Sequence, residues 1–123
     1  MKKTVLLLFT ILLVSCNNHQ RNCADFRTGK FQFVQDIEGK KHTSTFTRTS
    51  TLQIETYKGK TDTASVRWVN DCEFILQKLH PKNMAEEKAI SMKILFTENN
   101  SYTFEYSFVG SNKKSRGVVT KLN

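Results

Sequence analysis

Residue types able to do catalysis are sparse in this chain and poorly spaced for it. His19, His42 and His80 share no ligand spacing with one another or with the pair Cys23 and Cys72, so a three- or four-ligand zinc site is not expected. No Cys-x-x-Cys redox pair is present. No serine stands in the Gly-x-Ser-x-Gly turn that presents a nucleophile to its base. The adjacent acids Glu86-Glu87 lie in a polar stretch after Pro81, a poor platform for the two opposed carboxylates of glycoside hydrolysis. No glycine-rich loop is available to cradle a phosphate. The sequence therefore predicts no catalytic residue, no metal and no cofactor.

Charge offers a second kind of chemistry. Nineteen Lys and Arg against eleven Asp and Glu give +8 over 123 residues, with Lys40-Lys41 and Lys113-Lys114-Ser115-Arg116 beside turn residues. Together with Tyr102, Phe104, Tyr106 and Phe108, such lysines could grip and stack a single-stranded nucleic acid. Four aromatics at alternate positions, opposite Thr103, Glu105 and Ser107, are more simply a buried strand face, so nucleic acid is not the expected partner. These four and Trp68 are candidates for the core or for the wall of a ligand cavity. A basic surface suits anionic lipid head groups.

Elements must position those side chains, and from Gly29 onward the dominant period is two. Phe31 and Phe33 alternate with Gln32, and Leu52 and Ile54 with Gln53 and Glu55. Val66 and Trp68 flank Arg67, and Phe74 and Leu76 alternate with Glu73, Ile75 and Gln77. Ile90, Met92, Ile94 and Phe96 share a face, as do the four later aromatics, and Val118, Thr120 and Leu122 complete the series. Turn-tolerant residues interrupt at Glu38-Gly39-Lys40, Lys58-Gly59-Lys60, Asn70-Asp71, Glu98 to Ser101 and Gly110-Ser111-Asn112. The predicted fold class is all-β, a single small antiparallel meander of about eight strands. It closes as a barrel or remains a curved sheet, with one short helical turn between Pro81 and Lys88. Arg48, Glu55, Arg67 and Glu73 alternate outward from apolar positions and are expected to form cross-strand charge pairs. In a barrel, one of them could instead point inward and contact a ligand.

The N-terminus is a secretory signal. Met1-Lys2-Lys3 is basic, Val5 to Val14 is apolar apart from Thr10, and Cys16 follows at once. The run is shorter than the ~20 residues needed to cross a bilayer. Leu13-Val14-Ser15-Cys16 resembles the lipobox of bacterial lipoproteins. That resemblance implies cleavage before Cys16, diacylglyceryl transfer to its thiol and acylation of the new terminus, with more than one chain giving stable anchoring. It leaves Cys23 and Cys72 as the pair able to form a disulfide, in a compartment oxidising enough to keep one. Residues 1–15 are then a cleaved signal peptide, 16–22 the lipidated Cys and a polar tether, and 23–123 the β domain. Lipoproteins carried to the outer face in Bacteroidota-like bacteria tend to have acids after the Cys, and Asn17 to Asn22 has none. The expected location is the cell envelope, anchored at the outer membrane and facing the periplasm.

Two broader resemblances follow. Gly29-Lys30-Phe31 on the first strand and Arg116 near the last are similar to the Gly-x-Trp start and late Arg of lipocalin-like barrels, which implies a barrel able to hold one small ligand. Cys23-Ala-Asp-Phe-Arg-Thr-Gly-Lys-Phe31, Arg48 with Gln53-Ile-Glu55, and Val66-Arg-Trp68 with Asp71-Cys-Glu-Phe-Ile-Leu76 resemble small lipoproteins of flavobacteria (Bacteroidota), to which no activity is attached. Such proteins have at times been labelled DNA topoisomerase subunits. The residues here argue against that label, since the chain has no room for a DNA gate and no acidic metal cluster. Asp62-Thr63-Ala64 resembles the O-glycosylation acceptor of Bacteroidota envelope proteins, which implies modification of Thr63 on an exposed turn. The function expected is a lipid-anchored envelope protein without a catalytic centre, binding a small apolar ligand or an envelope protein. The alternatives are a hydrolase or isomerase, in which a His and a carboxylate converge in a barrel cleft, and a structural or immunity-like protein with a filled core.

Overall fold

The computed structural model describes residues 21–123; the expected signal peptide and lipidation site, residues 1–15 and Cys16, lie outside the described residues. A 3-10 turn at Cys23–Phe26 leads into eight strands: β1 (Gly29–Ile37), β2 (Lys40–Arg48), β3 (Leu52–Tyr57), β4 (Lys60–Asn70), β5 (Glu73–Lys78), β6 (Ile90–Glu98), β7 (Ser101–Phe108) and β8 (Ser115–Lys121). Each strand pairs antiparallel with the next, and β8 returns to β1 through Phe31–Lys121, Gln32–Thr120 and Phe33–Val119. The meander is thus a closed barrel, in which each of the eight strands has a neighbour on both sides. Two of its hairpins turn on Glu38-Gly39 and Lys58-Gly59, where both residues have positive φ (54° and 79°, then 49° and 75°). Such paired positive angles match the right-handed twist of the flanking strands.

The two ends of the barrel differ. The 3-10 turn closes one end, and the Cys23–Cys72 disulfide, with Cα atoms 5.3 Å apart, fastens it to the turn between β4 and β5. Cys23, Phe26, Phe31, Phe46, Ile94, Tyr102, Phe104 and Val119 form the main buried cluster. Val66, Phe74 and Leu76 form a second cluster against Met92 and Ile90. At the other end the connections at 38–39, 58–59, 79–89 and 109–114 surround an open mouth.

Several strand phases depart from the sequence expectation. In β3, Gln53 is buried and Ile54 is exposed, so the polar set faces the lumen and the apolar set faces out. The register decides this: Gln53 pairs with Arg48 and Glu55 with Phe46, and directly opposed residues share a face. In β8, Val119 is buried while Val118 is exposed, and Leu122, just past the strand, is exposed as well. A bulge after Ile94 pairs Phe96 with Thr103, which moves Phe96 off the face of Ile90, Met92 and Ile94. Between Pro81 and Lys88, where a short helical turn or its frayed loop is expected, the chain is a loop with two successive turns, Glu87 N–H to Met84 O and Lys88 N–H to Ala85 O. The short helical element lies at Cys23–Phe26 instead.

Candidate functional site

The floor of the barrel is built on a cation. Arg48 ends β2 two residues after Phe46 and four after Ser44, and the period of two sends all three inward. Its side chain is 1% exposed. Nη1 donates to Phe26 O (2.7 Å), Nη2 to the Tyr102 hydroxyl (2.8 Å) and Nε to Gln53 Oε1 (3.0 Å). The guanidinium carbon lies 4.5 Å from the ring centre of Phe74, 4.9 Å from that of Phe31 and 5.3 Å from that of Phe46. A planar cation with donors on several edges can satisfy three acceptors and stack on rings together. Through Phe26 O it ties the 3-10 turn to the barrel, so the closed end and the lumen share one fastening. Burial pushes the Tyr102 hydroxyl above the ordinary phenol range, against the opposing pull of Arg48. Tyr102 therefore stays protonated, accepting from Arg48 and keeping a hydrogen to donate.

Above this floor lies a cavity of about 220 Å³, walled by Phe33, Phe46, Phe104, Tyr106, Met92 and Val119, with Ser44, Gln53 and Glu55 on one side. Gln53, Glu55, Leu76 and Ile90 also wall the mouth, a larger space of about 450 Å³ that reaches Phe108 and Lys78. Water reaches Glu55 from the mouth. Withdrawal from bulk water pushes its carboxyl above the ordinary value; the Ser44 hydroxyl bond opposes this, Asp62 adds to it and Lys78 opposes it. At the rim, Lys78 Nζ meets Glu86 at 2.9 Å and Asp62 at 3.8 Å. The Glu86 contact raises Lys78, and the same contact lowers Glu86. Gln77 Nε2 donates to Glu87 O and Lys82 N–H to Glu86 Oε2, so the 79–89 loop is held beside the mouth.

No protein-family model, curated protein or solved structure matches the chain.

The residues singled out from sequence separate into groups. Tyr102, Phe104 and Tyr106 reach the lumen, and Phe108 is an exposed rim residue. Trp68 lines neither space; it packs on Phe74 at 4.5 Å between ring centres, with Arg27 4.7 Å over its face. Thr63 is not on a turn: it is half-buried within β4, opposite Ile54. Of the four charges expected to point outward, Arg48 and Glu55 turn inward, Arg67 is exposed, and Glu73 pairs across strands with Lys93 at 3.7 Å. His80 is exposed, whereas His42 is half-buried, with Nδ1 2.5 Å from the Tyr57 hydroxyl.

His42, Ser44 and Glu55 line one pocket of about 190 Å³, the convergence that a catalytic reading requires. His42 Nδ1 is bonded to the Tyr57 hydroxyl, and the Ser44 hydroxyl acts on the Glu55 carboxyl, drawing its proton affinity down. Among the described residues, no three His, Cys, Asp or Glu side chains gather as a metal site would require.

Proposed function

We propose that this chain is a lipid-anchored envelope protein whose barrel holds one small, mainly apolar molecule. The carrying observation is the lumen itself: a space lined mainly by aromatic and aliphatic side chains, open at one end, with Gln35, Ser44, Arg48, Gln53 and Glu55 on the β1–β3 wall and Tyr102 and Tyr106 on β7 as its polar residues. Sites of this composition take their affinity from apolar burial and their orientation from a few hydrogen bonds. An occupant would rest its apolar body on Phe33, Phe104 and Tyr106 and direct a hydrogen-bonding end to Gln53 and Glu55. The envelope location rests on Leu13-Val14-Ser15-Cys16 and the signal before it.

The test compares three forms of the full chain purified from the native envelope. An organic extract of the parent should contain a small molecule near one-to-one with protein. Ser44→Phe, which adds a ring to the lumen wall, should lose it, and Val118→Phe on the outer face should keep it. An extract with nothing stoichiometric, or equal amounts from all three forms, would count against the proposal.

A further inference from the structure

The mouth differs from the closed end in charge. Its connections, each taken with two residues of the adjoining strands (36–41, 56–61, 77–91 and 107–116), hold nine lysines and Arg116 against Asp36, Glu38, Glu86 and Glu87, a net +6. The closed end, taken the same way (21–30, 47–53, 69–74, 97–102 and 120–123), holds three arginines, Lys30 and Lys121 against Asp25, Asp71, Glu73 and Glu98, a net +1. Removing Lys2 and Lys3 from the total of +8 leaves +6 on residues 21–123, so most of the net charge surrounds the mouth. Among the described residues, Lys40, Lys41, Lys60, Lys88 and Lys113 have no carboxylate within ion-pair distance.

The same rim carries apolar side chains into solvent. Met84 is 82% exposed and Val109 57%, and Phe108, Leu79 and Ile37 are exposed around the same opening. The Lys88 ammonium lies 6.0 Å over the Phe108 ring, so a charge and an apolar tip are held together. A nucleic acid or acidic protein would engage the lysines and leave Met84, Leu79 and Val109 in water. A bilayer with anionic head groups takes both, because apolar tips enter the acyl boundary while lysine stems keep their charges among the phosphates.

We propose that the mouth rim docks onto an anionic phospholipid bilayer, with Met84, Phe108 and Val109 entering it and the surrounding lysines meeting its phosphates. Docked this way, the lumen opens onto lipid. The proposal goes beyond the lumen reading and holds for an empty barrel as well as a loaded one.

The test keeps the full chain, anchored in nanodiscs of unlabelled phosphatidylcholine, and adds a second population of vesicles made with brominated lipid. A Met84→Trp variant places an indole on the rim, and Trp68 in the parent supplies the background. With vesicles containing about one-third phosphatidylglycerol, the variant's emission should fall well below the parent's, and replacing Lys82, Lys88, Lys113 and Lys114 by Gln should weaken vesicle affinity by about tenfold or more. Quenching no greater than the parent's would overturn the proposal. So would equal quenching by pure phosphatidylcholine vesicles. Vesicle capture without quenching would also overturn it, by assigning the rim to a polyanion that touches lysines alone.

Discussion

A guanidinium removed from water loses several kcal/mol of hydration, and nothing but its immediate neighbours can offset that. At Arg48 those neighbours are three hydrogen-bond acceptors and a set of ring faces, with no carboxylate among its bonded partners. Each hydrogen bond to a charged group contributes about 1.5–3 kcal/mol. Arg48→Ala is therefore expected to lower the free energy of unfolding by about 3 kcal/mol or more, read from urea melts. Arg48→Lys should recover little, since an ammonium cannot span the same acceptors while lying flat on rings. A lysine variant as stable as the parent would contradict this assignment. Glu55 sets a second prediction, with a defined sign. Its carboxyl is raised above the ordinary 4.5, so the folded chain holds that proton to higher pH than the unfolded chain. Stability is thereby lost as pH rises from about 4.5 through the raised value, and Glu55→Gln removes the loss. The amide variant should melt higher than the parent at pH 7 and match it near pH 4. A variant that melts lower than the parent at pH 7 would refute the sign.

Strand phase decides which of these residues meet. β2 reads Lys-Lys-His-Thr-Ser-Thr-Phe-Thr-Arg, and Phe46 fixes its inward set as His42, Ser44, Phe46 and Arg48. That phase was available from the period of two, but an arginine beside threonines reads as solvent-facing until its acceptors are known, and two of these come from Phe26 and Tyr102, far away in sequence. In β3 the signal points the wrong way, because Leu52 and Ile54 are its most apolar residues and yet register with Arg48 brings Gln53 and Glu55 inside. The strands, most turn positions and the antiparallel order were legible because alternation and turn residues are local. Phase in β3 and β8 was not, because pairing sets it. In β8 the inward set contains Gly117, where an added Cβ would come 2.8 Å from Phe104 Cζ and 2.9 Å from Phe33 Cε2. Gly117→Ala should consequently shift both rings into the lumen and cost about 1–3 kcal/mol by overpacking. Differential scanning calorimetry checks this, and an unchanged melting temperature would show the rings to be loosely held.

At the scale of the whole molecule, the closed barrel has two ends of unlike construction. The 3-10 turn, the Cys23–Cys72 bridge and Arg48 close one end and hold it against the sheet. The bridge closes a loop with a sequence separation of 49, which in the chain-entropy account disfavours the unfolded state by about 4 kcal/mol. The mouth end carries the basic turns, the exposed apolar side chains and the access to the lumen. The proposed occupant would restore to the aromatic walls the contact energy that a void among packed side chains forfeits. The central claim, a lumen that carries a small molecule, is tested most directly by native mass spectrometry of the full chain released gently from its own envelope. The expected result is a reproducible extra mass of one small molecule that denaturation releases, beside a polypeptide two hydrogens lighter for its disulfide. A spectrum holding only the polypeptide and any covalent additions, unchanged between native and denaturing conditions, would contradict it.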